Sequence, residues 1–270
     1  MPGCAAEASA LVENDRARAM GIGGNQADGS RGEAVGREVG GLGMVGPVRH
    51  RWDVTPREAV ALQRELAGRV RIEPLHRPVR LIAGADCGFP RGSGLVVAAA
   101  VLCDADTLEV MASAHFSQPC EFPYVPGLLS FREAPAVIEV VRRLPARPDL
   151  LMCDGQGLAH PRRLGLAAHV GLWLDLPTIG VAKSRLCGEH DPVGRTRSCR
   201  ADLRHGGEVI GAVVRTRTAV KPLYVSVGHR VDLEDAVRWV LRCAGRYRLP
   251  EPTRQADRMV RELSQGLARG

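Results

Sequence analysis

The chain has 270 residues, 45 % hydrophobic, 4 % aromatic and 25 % charged, with a formal net charge of +7. That length buries an ample core, as one large domain or two small ones, and the basic balance favours a polyanionic partner without specifying which. Eight cysteines with no C-x-x-C pair exclude the usual zinc spacings, and no apolar run is long enough to span a bilayer.

Residues 1–47 are rich in Gly, Ala and Glu with no sustained period. Such a segment does not bury enough side chain to offset its ordering entropy, so a disordered extension is predicted there. It holds four arginines against six carboxylates, net −2, which leaves +9 on the predicted folded part, residues 48–270. Gly21 to Gly24 are not read as a phosphate loop, because no apolar strand precedes them and no G-K-[S/T] follows. With no basic-then-apolar leader and cysteines read as free thiols, a reducing cytoplasm is the predicted location.

Order is expected from about residue 51. Thr55-Pro56-Arg57-Glu58 reads as a capping box with proline at the first helical position, and Ala59, Leu62, Leu66 and Val70 fall on one helical face. Residues 81–86 (LIAGAD) read as a buried strand ending in a carboxylate. Residues 94–103 and 108–116 read as two more strands, joined by a link short enough for a hairpin. A proline-rich loop follows, and then a helix over 134–144, with Glu133 at its entry, where the dipole favours an anion. A short apolar strand at 150–153 runs into Asp154. Helix is predicted over 162–174 and strand over 178–182, 208–217 and 223–227. A helix capped by Asp232 runs to 243, and a last helix covers 252–267. Three strands and then helix, strand, helix, strand predict an α/β fold: a mixed sheet with helices on both faces, in the order of ribonuclease-H-like proteins.

Asp86 and Asp154 each end an apolar strand, and Glu133 lies between them in the sequence. Singly, each is as well read as a turn or first-turn residue. Brought together at one sheet edge, three carboxylates repel one another, and a divalent cation relieves that; oxygen donors suit Mg²⁺ or Mn²⁺. His229, after the apolar run PLYVSVG, is read either as a proton-transfer or phosphate-binding group or as a turn histidine. Tyr124, between Pro123 and Pro126, is read either as a ring held outward to wedge between bases or as one packed under its own loop. Of the basic residues between 162 and 221, Lys183, directly after the strand TIGVA, is singled out for phosphate contact.

These residues sit in motifs that resemble the endonuclease V family across about residues 55–263. The motifs are Ala83-Gly84-Ala85-Asp86, Pro123-Tyr124-Val125-Pro126-Gly127, Ser130-Phe131-Arg132-Glu133, Asp154-Gly155, His160-Pro161-Arg162-Arg163, Ile179-Gly180-Val181-Ala182-Lys183, Val227-Gly228-His229-Arg230 and Leu249-Pro250-Glu251-Pro252-Thr253-Arg254. The resemblance implies a ribonuclease-H-like single domain and Mg²⁺ dependence, with Mn²⁺ as a substitute. It assigns Asp86, Asp154 and Glu133 to the metal and to catalysis, and His229 to the active site. Tyr124 becomes the wedge, Lys183 a neighbour of the scissile phosphate, and Gly127, Leu129, Gly155, His160 and Leu166 positions around the base pocket. The implied activity is repair of DNA containing deoxyinosine, by a monomer that cuts the second phosphodiester 3′ to the lesion and leaves a 3′-hydroxyl and a 5′-phosphate. Two alternatives stay open: an endoribonuclease acting on inosine-containing RNA, and a non-catalytic binder of deaminated sites. The chain departs from the family pattern at Gln156, where histidine or asparagine is expected, at Cys87, where an aliphatic residue is expected, and mildly at Val125.

Overall fold

A computed structural model describes residues 48–267 of the chain. The predicted extension over 1–47 lies outside the described residues. The elements run α1 (Pro56–Ala67), β1 (Leu81–Gly88), β2 (Leu95–Asp104), β3 (Val110–Pro119), α2 (Leu129–Arg142), β4 (Leu150–Cys153), α3 (Leu166–Leu174), β5 (Thr178–Ala182), β6 (Arg200–His205), β7 (Glu208–Val214), β8 (Leu223–His229), α4 (Leu233–Cys243) and α5 (Glu251–Leu267). The eight strands form one sheet in the order β3-β2-β1-β4-β5-β8-β7-β6. The first three make the expected antiparallel meander. β1, β4 and β5 are mutually parallel neighbours, while β8, β7 and β6 return antiparallel.

Alternation along the strands divides the core. Ala83, Ala85, Leu151 and Cys153 face α2 and α3, through Val137, Val140, Ala167 and Val170. Ile82, Met152, Ile179 and Val181 face the other way, with Val237, Val240 and Cys243 of α4 and Ala256 of α5. Helices therefore cover both faces, as the element order predicts. The capping box at Thr55 forms, with Thr55 and Glu58 each satisfying the other's backbone N–H.

Gly84 decides where α5 can lie. A Cβ there would sit 2.1 Å from the carbonyl carbon of Pro252, so the first turn of α5 rests directly on bare β1 backbone. That close approach carries the rest of α5 toward the end of β1, where Asp86 stands.

Three expectations differ from the structure. α2 begins at Leu129, so Glu133 is in its second turn, and the first turn holds no acidic residue. The dipole argument for Glu133 therefore does not apply. Pro135 lies inside this helix, past the first turn where proline is best tolerated. α3 starts at Leu166, after Gly165, because residues before it form a loop in which the Gly165 N–H donates to the Gly157 carbonyl at 2.9 Å. β6 was not predicted: it is a polar edge strand in which Leu203 is the buried side chain, so it offers no apolar run to find.

Candidate active site

The parallel strands β1, β4 and β5 end at the same edge of the sheet. Ala85 pairs with Cys153, and Cys153 with Gly180. The Asp154 N–H donates to the Ala85 carbonyl at 3.0 Å. Asp86, one step beyond Ala85, and Asp154, one step beyond Cys153, are thus set side by side by register alone. Lys183 follows the end of β5 at the same edge. α5, seated on Gly84, brings in Asp257. Carboxylate oxygens of Asp86, Asp154 and Asp257 all lie within 4.8 Å of one another.

Sequence reasoning missed Asp257. Its signal was present: on α5 the buried positions are Pro252, Thr253, Ala256, Asp257 and Val260, so a carboxylate occupies the apolar stripe of an amphipathic helix. A charge placed there is paired, bound to metal or costly. Lys183 Nζ forms ion pairs with Asp154 and, at 2.8 Å, with Asp257. Arg261, one turn further along α5, pairs with the other oxygen of Asp257.

Burial, and then crowding, raises the proton affinity of Asp86 and Glu133. Burial first, and then the neighbouring Asp154, push the Asp86 carboxyl up to about 7, against the opposing pull of Lys183. Glu133 is only 8 % exposed; burial, and then Asp86 and Asp154, push it up to about 8. Carboxyls whose neighbours disfavour ionisation this strongly are candidates for cation binding or proton transfer.

An open cleft of about 890 Å³ lies over this edge. Asp86, Glu133, Asp154, Lys183, Tyr124, Gly127, Leu129, Gly155, His160 and Leu166 all line it, as do Gln156 and Asp257. The loop at Gly127 is fixed from beneath: its carbonyl accepts from Gln63 Nε2 at 3.0 Å, His160 Nε2 at 3.0 Å and Arg162 Nη2 at 2.7 Å. Its φ of +79° suits glycine. Since His160 Nδ1 accepts from the Arg162 N–H and burial lowers its pKa to about 4, His160 is neutral with its proton on Nε2. Gln156 donates from Nε2 to the Ser184 carbonyl at 3.0 Å, which ties the loop after β5 to the loop after β4. Tyr124 is 74 % exposed at the rim.

His229 is not brought to this group. It ends β8, antiparallel to β5, and pairs with Thr178 at the start of β5. About four strand residues, some 13 Å at about 3.3 Å each, separate it from the edge that bears the aspartates. Its Nδ1 accepts from the Arg71 N–H at 3.2 Å and its Nε2 faces Asp175 at 3.6 Å. Burial lowers its pKa to about 4. These contacts fasten the segment before β1 to the turn after α3. His229→Gln is expected to cost about 1–2 kcal/mol of stability and to leave kcat on any substrate within about threefold; thermal melts and steady-state rates check both.

A family model described as Endonuclease V matches residues 64–258. The endonuclease V of Azotobacter vinelandii is 55 % identical over 209 residues, covering 77 % of this chain and 95 % of that one. The crystal structure of the endonuclease V from Streptomyces avermitilis superposes with a TM-score of 0.76 at 45 % identity, over 80 % of this chain and 96 % of that one. The Ciona intestinalis endonuclease V, solved with a 24-mer DNA containing an inosine followed by a ribo-adenosine, matches with a TM-score of 0.68 at 25 % identity, over 78 % of this chain and 98 % of that one.

Proposed function

This chain belongs to the endonuclease V family, and on that premise we propose that residues 48–270 are a nuclease domain that recognises deaminated purines, hypoxanthine foremost, in DNA. It cuts the second phosphodiester 3′ to the lesion and leaves a 3′-hydroxyl and a 5′-phosphate. The observation that carries this reading is the meeting of Asp86, Asp154 and Asp257 within 4.8 Å, beneath a cleft with an exposed tyrosine on its rim.

The donor set fits a hard divalent cation. It is all carboxylate oxygen, burial and then the neighbouring Asp154 raise Asp86 to about 7, and a lysine ammonium already compensates two of its members. Mg²⁺ is the cation of choice, with Mn²⁺ as substitute, held by Asp86, Asp154 and Asp257 with Glu133 alongside. When bound there, the ion would supply Lewis-acid polarisation of the phosphodiester and compensation for the charge that develops as it is cut.

The chain's own groups do the rest. Lys183 aligns Asp154 and Asp257 and offers its ammonium to a phosphate oxygen. Glu133, held at about 8, is matched to taking or giving a proton near neutral pH. Tyr124 enters the gap left when the base is turned out. Gly127, Leu129, Gly155, His160 and Leu166 surround that base, with the Gly127 loop held rigid by its three donors. Among the described residues Cys87, Cys103, Cys120, Cys153, Cys187 and Cys243 are free thiols and no helix is long and apolar enough to cross a membrane; we place the enzyme in a reducing cytoplasm, acting as a monomer.

A second reading has one observation in its favour: the DNA bound by the Ciona protein carries a ribonucleotide after the inosine. Inosine-containing RNA is accordingly the alternative substrate, read through a 2′-hydroxyl. Matched DNA and RNA strands bearing inosine, uracil or an abasic site, incubated with Mg²⁺ and with product ends mapped, test both. Cleavage one nucleotide beyond the inosine linkage on DNA is the expected result. Cutting confined to RNA transfers the function to the second reading, and binding without cutting in any divalent ion overturns both.

A further inference from the structure

Tyr124 stands in water with little of its ring buried, yet its surroundings are ordered. Arg132, from the first turn of α2, reaches back under the loop: its Nη1 donates to the Phe122 carbonyl at 2.8 Å. Its guanidinium carbon lies 4.6 Å from the centroid of the Phe89 ring and 5.9 Å from that of Tyr124. Its Nε is buried with no hydrogen-bond partner. A guanidinium placed over two aromatic rings interacts with their faces rather than with an acceptor. Phe89 is itself 38 % exposed and lies just beyond β1, three residues after Asp86. The Arg132 guanidinium thus lies between the two rings at the cleft rim, close over Phe89 and at the outer limit of cation–π contact with Tyr124, a loose ring–guanidinium–ring stack.

We propose that Phe89 and Arg132 are positioning residues for Tyr124: the stack holds the tyrosine ring ready to enter a duplex before nucleic acid arrives. The inference rests on the wedge reading of Tyr124 given above. Its physical content is that an exposed side chain otherwise loses rotamer freedom on binding, and a stack formed in advance removes that loss. The same stack joins the rim to the chemistry. Phe89 shares a strand end with Asp86, and Arg132 is the immediate neighbour of Glu133, whose carboxyl feels its charge.

The test compares duplex with single strand. A duplex has an opposing strand whose gap a wedge must fill; an isolated inosine-containing strand has none. Phe89→Leu and Arg132→Lys are measured on both, with Phe89→Trp as the conservative rescue and Tyr124→Ala as the partner in a double-mutant cycle. The expected result is a five- to tenfold rise in KM on the duplex, with little change in kcat and less than a twofold change on the single strand. Tryptophan at 89 restores the duplex value, and Phe89→Leu has no further effect once Tyr124 is alanine. Equal losses on duplex and single strand, or additive effects of Phe89→Leu and Tyr124→Ala, overturn the proposal. Failure of the unaltered chain to cut either strand instead strikes the functional reading on which the proposal stands.

Discussion

Replacing Asp86 by alanine is expected to lower the cleavage rate of an inosine-containing duplex on the order of 10³-fold or more, while affinity for that duplex stays within about threefold. The rate falls because Asp86 is the member of the acidic group built into the sheet itself. β1 pairs on both sides, with β2 and β4, so the backbone that carries position 86 is fixed and does not shift to bring another oxygen into its place. Affinity holds because the phosphate-facing positive charge and the base pocket are untouched, and because removing one carboxylate lessens repulsion of the nucleic acid backbone. Asp154→Ala is expected to act alike. The double variant should be little slower than either single one, since groups that hold one ion act as a unit. Single-turnover rates together with fluorescence anisotropy at zero and at saturating Mg²⁺ check the whole set; an Asp86→Ala chain that cuts at the unaltered rate removes Asp86 from the mechanism.

The second large effect concerns stability, and its sign is opposite. Glu133→Gln is expected to make the metal-free protein more stable at pH 8 by about 4 kcal/mol, which is about 8–16 °C in Tm for a domain of this size, while abolishing most activity. The Glu133 carboxyl is pushed up from 4.5 to about 8 by burial and by Asp86 and Asp154. Between those two pH values the folded state keeps a proton that the unfolded chain has released. Stability therefore falls as pH rises through that window, and the penalty is complete above about pH 8. Glutamine keeps the size of the side chain and carries no such penalty. The difference between the two proteins should shrink steadily as pH is lowered and nearly close by about pH 4.5. Addition of Mn²⁺ should raise the Tm of the unaltered chain at pH 8, because the cation relieves the same repulsion, and raise that of the variant less. Thermal melts from pH 4.5 to pH 8.5, with and without Mn²⁺, read all of this; equal melting of the two proteins at pH 8 would mean that the acidic group is not under strain.

Much of the fold was legible from hydrophobic patterning, because the central strands are short, apolar and bounded by turn residues. LIAGAD and DLLMCD announced both β1 and β4 and their carboxylates, although β1 runs two residues past Asp86 to Gly88, and parallel register then did what the spacing suggested. What was not legible followed from tertiary packing. The start of α2 has no side-chain cap, so nothing local marks it. β6 has no apolar face to read. For Asp257 the local signal was only a carboxylate in the apolar stripe of α5; that it joins Asp86 and Asp154 follows from α5 lying against Gly84, a contact between residues far apart in the chain. His229 shows the converse. Its position after an apolar strand looks like those of Asp86 and Asp154, but β8 runs antiparallel to β5, and the same local pattern delivers the side chain to the opposite edge of the sheet. A strand end identifies an edge only once strand direction is known.

In the proposed activity Asp86, Asp154 and Asp257 act together on one divalent cation. Crystals grown or soaked with Mn²⁺ and measured at a wavelength where manganese scatters anomalously test that most directly. An anomalous peak within coordination distance of oxygens from all three aspartates is the predicted result; a fully ordered site without such a peak, or a peak held by other residues, contradicts it.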